Sequence, residues 1–300
     1  MEFDDDATAD LGNVSDRRGG SGFPGGGMIA GGGGVLGLIG LVVALLLGGN
    51  PLSGGGGGFG VAEPSFGATE PAASDLDGQS CKAGTGPQGR SDVFATCAFN
   101  DVQRTWTKIF SAAGQQYQPA GLVLYSGQTR TGCGVGSSAA GPFYCPADKR
   151  VYLDLTFFDE LRRDLGAPGD FAQAYVIAHE VGHHVQQVLG TNDQVAAAVG
   201  KKPSRQNELS VRAELQADCY SGVWASSAQR AKTIRLDADD PEEAVRAAAQ
   251  IGDDRLQKLA GRQVNPESFT HGSAEQRVRW LRKGLADGAP SSCDTFKGDI

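Results

Sequence analysis

The spacing of apolar positions divides the chain into segments of different kinds. Residues 35–48 read VLGLIGLVVALLLG, and no charged side chain occurs from Gly19 to Ala62. Taken from Met28, this run has about the ~20 residues needed to cross a hydrocarbon core of roughly 30 Å, which predicts a transmembrane helix over 28–48. A cleaved signal peptide fits less well, because the run is set back from the terminus and GNPLSGGGGG follows it in place of an A-x-A site. From residue 92 the pattern turns helical: Val93, Phe94, Cys97, Ala98, Val102, Trp106, Ile109 and Phe110 recur on one face, with Ser91 as cap. Residues 121–127 (GLVLYSG) and 151–158 (VYLDLTFF) read as strands around a Gly- and Cys-containing loop, 131–148. Three further helices are predicted. One covers 170–190, capped by Asp170 and stopped by Gly190; a second covers 207–230; a third covers 241–257, opened by Pro241.

Composition shortens the folded part. Many of the 45 glycines lie in runs before residue 60, where they cannot build a packed interior. The expected organisation is a disordered cytoplasmic tail over 1–27, the transmembrane helix over 28–48, a Gly/Pro/Ser-rich linker over 49–91 and one α+β, mainly helical domain with a small β-sheet over 92–300. Net charge is −8, and the basic residues form no stripe, which excludes a nucleic-acid partner. Arg17 and Arg18 precede the apolar run and no basic residue follows it until Lys82, so the N-terminus is expected in the cytoplasm and the domain outside it.

The six cysteines all follow the run and include no C-x-x-C pair, as expected of disulfides in an oxidising compartment. Six cysteines allow fifteen connectivities; local spacing favours Cys133 with Cys145, and of the pairings then left Cys219 with Cys293 and Cys81 with Cys97 is the one expected.

The chemistry concentrates in 175-YVIAHEVGHHVQQ-187, which holds three of the four histidines. Residues four apart on a helix share a face, so His179 and His183 can ligate one zinc ion, and Glu180 is turned about 100° away, where it reaches a water and not the ion. That is the H-E-x-x-H arrangement of two ligands and a general base. Gly182 implies close packing against this helix. A third ligand is expected from another helix, and 214-ELQAD-218 offers Glu214, with Asp218 one turn on to accept the N–H of a ligating histidine. A solvated acidic face is the other reading of that segment; its neighbours Ala213, Leu215, Ala217 and Trp224 argue against it. His184 points away from the pair, as a core histidine. His271, in FTHGSAEQR, has three open roles: a loop histidine, a hydrogen-bond donor to the transition state, or a gate that ligates the ion; Arg277 is expected to position its loop.

The segments TRTGCG (129–134), GPFYCPAD (141–148), DFAQAYVIAHEVGHHVQ (170–186), RAELQADCYSGVW (212–224) and FTHGSAEQR (269–277) together resemble the bacterial family of putative neutral zinc metallopeptidases, which is similar in motif to the thermolysin-like gluzincins. The resemblance implies a zincin-like domain, one Zn2+ ion on His179, His183 and Glu214, Asp218 behind them, Glu180 as catalytic base and a membrane-anchored endopeptidase acting on a peptide or protein substrate, with the lipid bilayer as a further partner. The Cys81–Cys97 pair is outside that family pattern. The strand 151–158 reads equally as an edge that an extended substrate joins or as an ordinary core strand. The other reading is a non-catalytic, zinc- and disulfide-stabilised binding module of the cell envelope.

Overall fold

The computed structural model describes residues 1–19, 75–86 and 89–300. They form a mixed α+β body, mainly helical, with small sheets. The predicted span over 28–48 lies outside these residues; among the described residues no helix is long and apolar enough to cross a membrane.

Strands β1 (Glu2–Phe3) and β2 (Val14–Asp16) come from the amino-terminal segment. Helix α1 (Ser91–Ala112) is followed by β3 (Gly121–Tyr125), β4 (Gln128–Thr131), β5 (Gly134–Ser137), β6 (Phe143–Cys145) and β7 (Arg150–Asp154). The rest is helical apart from β8 (Ile234–Arg235): α2 (Thr156–Arg163), α3 (Asp170–Val188), α4 (Thr191–Lys201), α5 (Gln206–Ala231), α6 (Asp240–Gln250), α7 (Asp253–Leu259) and α8 (Ala274–Asp287). The main sheet has the order β2-β3-β7-β6, parallel except for β6, while β4 pairs with β5 and β1 with β8.

The disordered tail expected over 1–27 does not hold for its first 19 residues, nor the linker over 49–91 for residues 75–86. Val14–Asp16 pair with Leu122–Leu124 in the main sheet, Phe3 packs on Phe94, and Thr8 bridges Ser80. Arg18 is ion-paired with Asp92, and Leu76 and Cys81 are fully buried. The segment is polar on average, but Met1, Phe3 and Ala9 enter the common core. The amino-terminal segment is thus packed on the body.

Other departures have local causes. The strand expected over 151–158 ends at Asp154, whose carboxylate accepts from the backbone and hydroxyl of Thr156 and so opens α2. That strand is β7, internal between β3 and β6, so it has no free edge; β6 is the edge on that side. The loop expected over 131–148 contains most of the β4–β5 hairpin and β6. The helix expected over 241–257 breaks at Ile251–Gly252: the Ile251 carbonyl accepts from Arg277, and a Cβ on Gly252 would lie 2.4 Å from Ala274 N. Neither expected cap operates. The residue before α1 is Arg90 with no side-chain bond, and Gly169 precedes α3, with φ of 121° that favours glycine. Glu243 reaches across to accept from Phe171 N–H, where a Cβ on Gly169 would collide with its carboxylate.

Three disulfides clamp the body: Cys81–Cys97 ties the turn before α1 to α1, Cys133–Cys145 ties the hairpin to β6, and Cys219–Cys293 ties the C-terminal segment to α5. Helices α5 and α8 cross backbone to backbone at Gly222 and Gly284; a Cβ on Gly284 would sit 2.0 Å from Cys219 O. This contact brings Arg277 of α8 beside α5.

Candidate metal centre

Helix α3 carries His179, Glu180 and His183, and α5 carries Glu214 and Asp218. The two helices approach closely because Gly182 faces Ala217, with a hypothetical Cβ only 3.1 Å from Ala217 Cα. At that crossing, His179 Nε2 lies 3.1 Å from Glu214 Oε2 and His183 Nε2 3.5 Å from Glu214 Oε1. The ligand-capable atoms of His179, His183 and Glu214 all fall within 4.8 Å of one another.

These separations fit zinc. Tetrahedral bonds of about 2.0–2.1 Å put neighbouring ligand atoms roughly 3.3 Å apart. Both histidines have Nδ1 engaged elsewhere, which turns Nε2 toward Glu214: His179 Nδ1 meets Asp218 Oδ1 at 2.9 Å and His183 Nδ1 meets Gln186 Oε1 at 2.9 Å. Burial alone would push His179 down, but Asp218 and then Glu214 raise its pKa; the Glu214 carboxylate likewise outweighs burial at His183 and pushes it up to about 9. Burial would raise Glu214, yet the neighbouring histidines hold it well below the usual carboxylate range.

Glu180 has little exposed surface (2%), and its Oε1 is buried with no partner among the described residues. Buried carboxylate oxygens are ordinarily satisfied, so an orphan beside a ligand cluster is a place for a proton donor. Burial raises the Glu180 pKa, His183 and His179 lower it, and the backbone N–H of Tyr144 in β6 faces the carboxylate and favours its charged form.

Asp218 is fully buried and accepts four bonds: from Tyr175 Oη at 2.6 Å, His179 Nδ1, and Arg277 Nε and Nη2 at 2.9 and 2.8 Å. Burial pushes its pKa up, but Arg277 and His179 hold it below the usual range. Arg277 therefore steadies Asp218, and the expectation that it positions the His271 loop gives way to Asp253. One Asp253 oxygen accepts from the backbones of Thr270, His271 and Gly272, and the other meets His271 Nδ1 at 3.3 Å. His271 is outside the ligand cluster but close enough to lower Glu214 by its charge. Its Nε2 has no partner among the described residues. His184 is a buried core residue between Tyr144 Oη and the Gln118 carbonyl, and burial lowers its pKa.

Sequence reading missed Tyr175, Gln186 and Asp253. The first two stand four before His179 and three after His183, spacings that mark a shared helix face; Asp253, 18 residues from His271, carries no such signal.

Residues 2–296 match the family described as "Putative neutral zinc metallopeptidase". The chain is 43% identical over 294 residues to "Uncharacterized protein YpfJ" of Escherichia coli, covering 96% of each. It is 40% identical over 234 residues to "Uncharacterized protein Rv2575" of Mycobacterium tuberculosis, covering 75% of this chain and 77% of that one. No solved structure matches it.

Proposed function

The chain belongs to the putative neutral zinc metallopeptidase family, and from that premise we propose that it is a zinc-dependent endopeptidase with His179, His183 and Glu214 as ligands and Glu180 as general base. The observation that carries this reading is the unpartnered, buried Oε1 of Glu180 next to three convergent ligand atoms. A purely structural zinc site is normally closed by four protein ligands, and a free carboxylate beside it has no use.

When bound, the ion supplies a Lewis acid that polarises the scissile carbonyl and makes water nucleophilic near neutral pH. Glu180 takes the proton of the attacking water and hands it to the departing amine. Burial leaves the Glu180 pKa raised, as suits a group that must take up a proton, while His183, His179 and the Tyr144 N–H favour its charged form. An extended substrate adds along the free edge of β6, the strand that holds Tyr144 beside Glu180. His271, braced through Nδ1 by Asp253, offers Nε2 to the oxygen that gains charge. Three disulfides support an extracytoplasmic body. The apolar run over 28–48 is then its contact with the lipid bilayer.

The test compares wild type with Glu180→Gln for zinc content and for cleavage of an unfolded protein. We expect one zinc in both and cleavage only in the wild type. Zinc in both with equal function in a binding assay and no cleavage would replace the enzyme by a binding module, and absence of zinc would remove the metal reading altogether.

A further inference from the structure

A chain of amide hydrogen bonds runs from His183 to the C-terminal segment, and its direction is fixed. Gln186, with no exposed surface, has Oε1 2.9 Å from His183 Nδ1 and donates from Nε2 to the Ala213 carbonyl at 2.6 Å and to Gln216 Oε1 at 3.2 Å. Gln216, also buried, donates from Nε2 to the Cys293 carbonyl at 3.0 Å. An amide can be turned end for end, but a backbone carbonyl only accepts. Ala213 O therefore demands the NH2 of Gln186, and Cys293 O demands that of Gln216. The two carbonyls leave Gln186 Oε1 as the group facing His183, so Nδ1 must carry the proton and the lone pair must sit on Nε2, the atom 3.5 Å from Glu214.

We propose that Gln186 is a positioning residue that fixes the Nε2-ligating tautomer of His183, and that Gln216 together with the Cys219–Cys293-anchored C-terminal segment sets the polarity of the relay. The proposal rests on His183 being a zinc ligand. The two histidines are thus oriented by different means: His179 by the charged Asp218, His183 by a neutral amide held by main-chain carbonyls. The tail is well placed for this. Cys293 is joined to Cys219 of α5, and Thr295 exchanges hydrogen bonds with Arg212 one turn before Gln216.

The experiment uses the full chain as Gln186→Leu and Gln216→Leu, with Gln187→Leu as control, since the Gln187 side chain accepts from Asn192 and stands outside the relay. Two quantities are read: the zinc dissociation constant by chelator competition, and the ring nitrogen shifts of His183 in zinc-free protein at a pH where the ring is neutral. We expect Gln186→Leu to weaken zinc binding by roughly 10–100-fold and to mix the two tautomers. Gln216→Leu should act in the same direction by a smaller factor, and Gln187→Leu on neither. A folded Gln186→Leu that keeps the Nδ1–H tautomer overturns the proposal, whether or not its zinc affinity falls. Should that variant not fold, Gln216→Leu decides by the same readouts. A wild type that binds no zinc would sink the peptidase reading and with it the ligating role of His183, whereas a change of tautomer in Gln186→Leu would still show that Gln186 sets the proton.

Discussion

Arg277 and Asp218, neither with any exposed surface, are joined by two hydrogen bonds of 2.9 and 2.8 Å, and the same carboxylate receives the ring N–H of His179. One buried positive charge thus keeps in place the group that orients a ligand. Removing one partner of such a pair leaves the other charge uncompensated in the interior, at a cost of about 3–5 kcal/mol. Arg277→Met should lower unfolding free energy by that amount in urea titrations and weaken zinc binding in the molecules that still fold. A variant as stable as wild type would show that the Asp218 charge is neutralised in some other way.

His271→Ala should lower kcat by about 10²–10³-fold with KM nearly unchanged, if its Nε2 serves the transition state alone. Asp253→Asn keeps the ring but weakens its brace, so a smaller loss in kcat is expected. Zinc content should be unaltered in both, since His271 lies outside the ligand cluster. Loss of zinc in His271→Ala would instead make it a ligand.

Glu2 and Arg235 stand opposite each other in the β1–β8 pair, both with exposed side chains. Glu2→Cys combined with Arg235→Cys should form an intramolecular disulfide in intact cells, detected as a mobility shift on non-reducing gels. Failure to cross-link there, with ready cross-linking after purification, would mean that a membrane separates the amino-terminal segment from the body in the cell.

Asp92 of α1 holds that segment through Arg18 and also accepts from Arg90, the residue before the helix. Burial raises its pKa, but Arg90 and Arg18 outweigh this and bring it from 3.8 to about 2. A carboxyl depressed on folding contributes stability above its unfolded value, and the contribution is lost as pH falls through the folded one. Protection of the Val14–Asp16 amides against hydrogen exchange should therefore weaken between about pH 4 and pH 2. In Asp92→Asn the protection should be lower already at pH 7, with no such step.

The sequence by itself determined whatever depends on short range. The helix over 170–190 and the shared face of His179 and His183 follow from the 3.6-residue period, and the turn between Glu214 and Asp218 from the same geometry. Gly182 announced its close neighbour because a helix tolerates glycine only at a cost. The three cysteine pairs also match the structure, Cys133 with Cys145 being the local one.

Tertiary structure decided everything that depends on what lies across a gap. The segment 1–19 is too polar and too short to declare itself as strands; pairing of Val14–Asp16 with Leu122–Leu124 and burial of Phe3 supply the energy that its own sequence lacks. Arg277, expected to serve the loop near it in sequence, reaches Asp218 because Gly222 and Gly284 let α5 and α8 touch. The proton on His183 is set by Ala213 O and Cys293 O, groups that every residue possesses and no motif can mark. A period along a helix places side chains relative to their own axis, and only packing brings two axes together.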